Sequence, residues 1–136
     1  MKMENKIKHL EFIQNVITRM NANSFLIKGW TVTLISALFA LAAKDSNINY
    51  ALISYIIIPV FWLLDGFFIS TERIYRDLYS EVAVKKEEEI DFNMNASSFK
   101  TKRGRSWIEG IFSQTLIPFY GTALITTILI LLYFKK

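Results

Sequence analysis

The chain of 136 residues has no cysteine, one histidine (His9), two prolines and five glycines. The absence of cysteine excludes a disulfide framework, a thiolate metal site and a cysteine nucleophile. A single histidine excludes a metal site built from several histidines. The sequence also has no glycine-rich phosphate-binding loop and no catalytic triad containing histidine. We therefore expect neither an enzyme nor a bound cofactor.

Charged residues are absent or nearly absent from three long stretches of the sequence. Residues 46–64 and 110–134 carry no charge, and residues 20–43 contain only Lys28. An apolar stretch of about 18 or more residues is long enough to cross a bilayer as a helix. The sequence therefore predicts an all-α membrane protein with three transmembrane helices.

The predicted organisation is a single helical membrane domain over residues 1–136. Apolar residues recur at every third or fourth position of residues 5–24, which predicts an amphipathic cytoplasmic helix. Pro118 fits the first turn of the third span, where a missing N–H costs no helical hydrogen bond. The remaining predicted segments are span 1 (25–43), span 2 (48–70), its helical extension (71–86), a polar and basic loop (87–106), an interfacial segment (107–115) and span 3 (117–134).

The distribution of lysine and arginine predicts the orientation in the membrane. Residues 1–28 contain five and residues 65–109 contain eight, whereas residues 44–49 contain one and the C-terminus two. We therefore expect the N-terminus and the segment 71–106 to be cytoplasmic. Lys135 and Lys136 would then lie outside.

Lys28 and Asp65 are the only charged residues within the first two predicted spans. Lys28 lies 16 residues before Lys44, and Asp65 lies 16 residues after Asn49. In an antiparallel hairpin these equal lengths bring the two side chains to the same depth. Ionisable residues in a membrane are costly and usually face a partner or water. Two interpretations stay open: a structural ion pair that fixes the register, and a water-accessible gate or ligand contact.

The same counting extends beyond the membrane. Arg19 lies 25 residues before Lys44, which brings it close to Glu72. We expect these two side chains to pair and the first two helices to continue together into the cytoplasm as a long hairpin.

Hydroxyl side chains follow one face of the first span (Thr33, Ser36) and recur in the third (Thr122, Thr126). Such faces allow helices to approach closely and to form hydrogen bonds in lipid. They fit packing within one chain, a subunit interface or the lining of a pore. Because three spans alone enclose no pore, conduction would require a homo-oligomer.

A basic run at residues 100–105 contains Lys100, Lys102, Arg103 and Arg105. Basic residues next to a membrane typically bind anionic headgroups. The alternative is an anionic ligand such as a nucleotide. Sequence-specific nucleic-acid binding is not expected, because aromatic side chains do not alternate with these charges.

Most of the chain resembles a group of small bacterial integral membrane proteins of uncharacterised function. The residues that carry the resemblance are Arg19-Met20, Ser24-Phe25, Lys28-Gly29-Trp30 and Asp65-Gly66. The arrangement of two spans that run into a long cytoplasmic helix is also similar to the SLATT class of membrane effectors. In that class the helices are proposed to form oligomeric pores, triggered by a nucleotide-type signal during phage defence. The third predicted span departs from the usual two-span plan.

Two hypotheses for the function follow. The first is an oligomeric effector of the bacterial inner membrane that forms or gates an ion channel, in response to a cytoplasmic ligand or partner in antiviral defence. The second is a non-conducting membrane anchor for a soluble signalling or defence enzyme. The expected partners are the lipid bilayer, further copies of the chain, and a cytoplasmic signalling enzyme or nucleotide-type ligand.

Overall fold

The computed structural model describes residues 3–134. The four α-helices are α1 (Glu4–Asp45), α2 (Asn49–Val84), α3 (Trp107–Ile111) and α4 (Leu116–Phe134). Two short 3₁₀ helices, Glu87–Glu89 and Ser97–Thr101, lie between α2 and α3. Helices α1, α2 and α4 are each long and apolar enough to cross a membrane. Within the described residues, the predicted all-helical fold with three helices long and apolar enough to span a membrane is confirmed. The expected position of Lys135 and Lys136 concerns residues outside the described range.

Helix α1 is continuous from the polar N-terminal part into the apolar part. Its buried positions recur every three or four residues over most of its length, as an α-helix with one packed face requires. It ends where Ser46 adopts a left-handed conformation (φ 50°). Asn47 Oδ1 then accepts a hydrogen bond from the backbone N–H of Asn49, the first residue of α2 (3.0 Å). The chain therefore reverses direction within a few residues.

The polar ends of α1 and α2 share one hydrophobic core. Its buried side chains come from α1, from α2 and from the segment after α2: Ile13, Ile17, Ile74, Leu78, Val82, Ala96 and Phe99. The segment 87–106, expected to be a polar and basic loop, thus contributes two apolar side chains to this core. Burial of apolar area is the main force that holds these elements together.

Polar contacts fix the same segment to both helices. His9 of α1 is fully buried, and its Nε2 lies 3.2 Å from the carbonyl oxygen of Asn93. The Tyr75 hydroxyl of α2 donates to the carbonyl oxygen of Met94 (3.2 Å). These bonds satisfy two backbone carbonyl groups of an irregular segment. Burial of such groups without a hydrogen-bond partner would cost free energy.

The expected pairing of Arg19 with Glu72 is wrong. Glu72 pairs with Arg76, four residues later on the same helix. Arg19 is exposed and forms no ion pair within residues 3–134. The reason is the direction of the Arg19 side chain. Ile17 is buried against α2, and Arg19, two residues later, lies about 200° further around the axis of α1 and so points away from α2.

The N-terminus of α1 is capped by a residue far along the chain. Met3, at the N-cap position, has no capping side chain. The Glu87 carboxylate instead accepts hydrogen bonds from the backbone N–H groups of Asn5 (3.0 Å) and Lys6 (3.3 Å). A carboxylate at this position satisfies unpaired N–H groups and complements the helix dipole.

We expect Glu87→Ala to weaken the first turn of α1. Loss of a cap typically costs about 1 kcal/mol. Hydrogen exchange at the amides of Asn5 and Lys6 should therefore accelerate. Glu88→Ala is the matched control, because Glu88 is exposed and makes no side-chain hydrogen bond within residues 3–134. Equal exchange rates in the two variants would show that Glu87 is not the cap.

Candidate functional site

Asp65 is a fully buried carboxylate in the apolar part of α2. Lys28 Nζ lies 2.6 Å from its Oδ2 atom, and the Ser24 hydroxyl donates to its Oδ1 atom. The Tyr120 hydroxyl donates to Oδ2 at 3.0 Å. Side chains of α1, α2 and α4 therefore meet at this carboxylate, and all three long helices take part in the site.

The contribution of α1 depends on the spacing of Ser24 and Lys28. Residues four apart lie on the same helix face, so both side chains point towards Asp65. Lys28 Nζ also donates to the Ser24 hydroxyl (2.7 Å). The Lys28 side chain is 22% exposed, whereas that of Asp65 is completely covered. The cation thus retains some access to the surroundings and the carboxylate has none.

The contribution of α4 is a fully buried tyrosine. The Tyr120 ring stacks on Trp62 with the centroids 5.6 Å apart and the planes 9° apart. Its hydroxyl also lies 3.3 Å from the carbonyl oxygen of Phe61. The ring is held by α2 while its hydroxyl reaches Asp65. Tyr120 therefore connects α4 to the same carboxylate that pairs with Lys28.

The short helix α3 closes the site on another side. Gly66 and Gly110 face each other so closely that a Cβ atom on Gly110 would overlap the carbonyl oxygen of Gly66. Two indole N–H groups strengthen this contact: Trp62 donates to the carbonyl oxygen of Ile111 and Trp107 to that of Leu63, both at 2.8 Å. The backbone of α3 thus covers α2 directly beside Asp65.

A buried ion pair of this kind holds its elements in one arrangement but adds little net stability. The desolvation of both charges offsets much of their attraction, whereas the loss of one partner leaves an unpaired buried charge. The three hydroxyl and ammonium donors around Asp65 make the carboxylate well satisfied as it stands. Any movement of α1 or α4 relative to α2 must exchange these bonds.

We expect Lys28→Met to destabilise the protein by about 3–5 kcal/mol, since it leaves the Asp65 charge buried. Asp65→Asn should cost less, because Lys28 is partly exposed and can reach water or headgroups. The double variant should recover much of the loss caused by Lys28→Met. The measurement is the free energy of unfolding in mixed micelles.

Lys44→Met is the control for this cycle, because Lys44 is exposed at the end of α1 and forms no ion pair within the described residues. If the losses of the single variants simply add in the double variant, Lys28 and Asp65 are not coupled.

The four predicted basic residues have different surroundings. Arg105 pairs with Asp77 through two bonds, Nε–Oδ2 at 2.6 Å and Nη2–Oδ1 at 3.1 Å. These bonds lower the pKa of Asp77 and raise that of Arg105. Lys102 lies over the Phe99 ring, 4.5 Å from its centroid. Lys100 and Arg103 are exposed and form no ion pair in the part of the chain that the structure describes.

The basic run ends at a capped helix. Ser106 and Glu109 form a capping box at the start of α3. Hydrogen bonds from the backbone of Gly104, and from the hydroxyl and backbone N–H of Ser106, lower the pKa of Glu109 from 4.5 to about 2. Because its pKa is lowered, Glu109 stays charged at neutral pH and can serve as the capping acceptor there.

We expect acid to weaken the cap. A carboxyl whose pKa falls on folding stabilises the fold above its ordinary pKa, and this stabilisation is lost as the pH falls through the folded value. For Glu109 the window is pH 4.5 to about 2. Glu109→Gln should reduce the pH dependence of thermal unfolding in this window, and Glu88→Gln should not. A residual slope is expected from Asp77, whose pKa is also lowered. Identical slopes in both variants would contradict the assignment.

The predicted hydroxyl face is only partly assembled. Ser36, Thr122 and Thr126 line one cleft of about 390 Å³ between α1 and α4, together with apolar side chains such as Phe39 and Phe119. Thr33 lies outside this lining, and its hydroxyl donates to the carbonyl oxygen of Gly29 (2.9 Å). The cleft is open on one side, so α1 and α4 do not close against each other there.

Two members of the site were not predicted, namely Ser24 and Tyr120. The position of Ser24 four residues before Lys28 was a usable signal, because that spacing places both on one face. Tyr120 gave a weaker signal as a hydroxyl-bearing aromatic residue near the start of the third span. No comparable signal in the sequence indicates which helix face α4 presents to Asp65.

No family model, curated protein or solved structure matches the chain. The resemblance to SLATT-type effectors therefore stays a prediction, and the function has to be inferred from the geometry of the site and the cleft.

Proposed function

We propose that the protein is an oligomeric effector of the bacterial inner membrane that forms or gates an ion-conducting pore, in response to a cytoplasmic ligand or partner in antiviral defence. The proposal includes the hairpin of α1 and α2, with its polar end in the cytoplasm as the charge distribution predicts. The observation that carries it is the open cleft between α1 and α4, lined by Ser36, Thr122 and Thr126.

An open cleft with hydroxyl groups is poorly suited to contact with lipid alone. Thr122 already bonds to the carbonyl oxygen of Pro118, but Ser36 and Thr126 are exposed. Polar side chains in spans usually face other helices or water-filled spaces. Copies of the chain arranged around this cleft would give it either a neighbouring helix or a water-filled lumen.

The ion pair supplies a means of gating. Helix α1 passes without interruption from the hydrophobic core around Ile13 and Ile17, at the polar end of the molecule, to Lys28. A ligand or partner that shifts the polar end of α1 would therefore act directly on the contact between Lys28 and Asp65. Because Tyr120 shares that carboxylate, the shift would also reach α4 and the cleft.

The test is ion flux through the purified full-length protein in liposomes, together with its oligomeric mass in detergent. We expect a defined oligomer and a flux that Asp65→Asn increases, because this variant removes the contact that holds the closed arrangement. Ser36→Leu and Thr126→Leu should lower the flux severalfold. Thr33→Leu is the matched control, since Thr33 is exposed on α1 but lies outside the cleft. A monomer that leaves vesicles sealed, in both wild type and Asp65→Asn, would refute the proposal.

The second candidate is a non-conducting anchor for a soluble enzyme. Apolar side chains are exposed at the polar end of the molecule, including Ile7 (52%), Phe12 (50%) and Phe92 (39%). The rings of Phe12 and Phe92 lie 6.2 Å apart and form part of one surface. Purification of one stoichiometric soluble partner, lost in Phe12→Ser, with no ion flux would favour this function.

A further inference from the structure

A second cavity, of about 640 Å³, lies between α2 and the segment that precedes α3. One wall is a face of α2 that runs from Phe67 to Tyr75, and the other is formed by residues 94–97, Lys100 and residues 105–107. The volume is within the range of about 300–1,000 Å³ that is typical of ligand sites. The α2 wall runs from Phe67 to Tyr75, a rise of eight residue steps or about 12 Å.

The cavity has two chemically different ends. Phe67 and Trp107 form one end and are about half exposed (47% and 51%). Trp107 donates to the carbonyl oxygen of Leu63, which places this end at the last turns of the apolar part of α2. The other end adjoins Tyr75, whose hydroxyl donates to the carbonyl oxygen of Met94, and the lining residues Asn95, Ser97 and Lys100 follow Met94 in the chain. The cavity therefore runs from the edge of the apolar zone into the polar zone.

The charged side chains that line the cavity are all positive. Its two charged residues are Lys100 and Arg105, and no aspartate or glutamate belongs to the lining. Arg105 is largely balanced by Asp77, with Glu109 and Glu72 also nearby. Its bonds to Asp77 use Nε and Nη2 and leave Nη1 for another acceptor. Lys100 is exposed and forms no ion pair within residues 3–134. A negatively charged group is the complement of this end.

We propose that this cavity binds one anionic phospholipid. The phosphate would lie at Lys100 with the Ser97 hydroxyl as a further donor, and an acyl chain would pass Phe67 and Trp107 into the bilayer. A soluble anion would use the polar end alone and leave the exposed apolar end uncovered. The proposal rests on the position of the protein in a membrane and not on conduction, so it stands or fails separately from the pore.

The test is lipid binding to the delipidated full-length protein in detergent, measured by native mass spectrometry with phosphatidylglycerol and phosphatidylcholine as probes. We expect one phosphatidylglycerol to bind more tightly than phosphatidylcholine. Lys100→Gln should weaken the binding of phosphatidylglycerol about fivefold, as expected for the loss of one basic residue at a membrane surface. Arg103→Gln is the matched control, because it removes the same charge from the same run but lies outside the lining.

A second variant tests the cavity without changing charge. Thr71 lines its wall, and Thr71→Trp should fill the space and reduce the binding of phosphatidylglycerol while Lys100 is intact. Three results would overturn the proposal: equal losses in Lys100→Gln and Arg103→Gln, equal binding of the two lipids, or displacement of bound phosphatidylglycerol by ATP. The first would indicate nonspecific surface attraction, the second a headgroup-independent contact, and the third a soluble anionic ligand.

Discussion

The carboxylate of Asp65 is the group on which the arrangement of the three long helices depends. It is fully buried and receives bonds from Ser24 and Lys28 of α1 and from Tyr120 of α4. In an apolar environment a carboxylate without partners is far more costly than one with them. The alternatives to this packing are therefore penalised strongly, even though the ion pair itself adds little net stability. Asp65 specifies the arrangement more than it stabilises it.

Two further contacts hold the helices in the arrangement that Asp65 specifies. Towards the polar end, the core around Ile13 and Leu78 holds α1 and α2 together. Next to Asp65, the contact of Gly66 with Gly110 brings α3 against the backbone of α2. Between α1 and α4, by contrast, an open cleft separates two long helices. The molecule thus combines a fixed polar end with a looser contact between spans.

Sequence reasoning succeeded where distance along the chain decides the answer. The three apolar stretches predicted the three long helices, and equal counts from the turn placed Lys28 opposite Asp65, where the structure has a 2.6 Å contact. It failed for Arg19 and Glu72, because the number of residues from the turn gives the position of a residue along the helix axis. It does not give the direction in which the side chain points around that axis. The burial of Phe99 and the cap from Glu87 were also missed. Both arise from the path of an irregular segment, which has no periodicity from which contacts can be inferred.

The separation of Lys28 and Asp65 in the sequence also has a consequence for biosynthesis. Lys28 leaves the ribosome 37 residues before Asp65, so the first span reaches the insertion machinery with its cation uncompensated. A lysine near the middle of an inserted helix costs about 2.5–3.5 kcal/mol, and less when its side chain can reach the boundary. This cost would be smaller if the first span stayed at the membrane surface until the second span had been synthesised. Insertion of the two spans as a pair would bring Lys28 and Asp65 together while both become buried, so their contact would matter for assembly as well as for the folded protein.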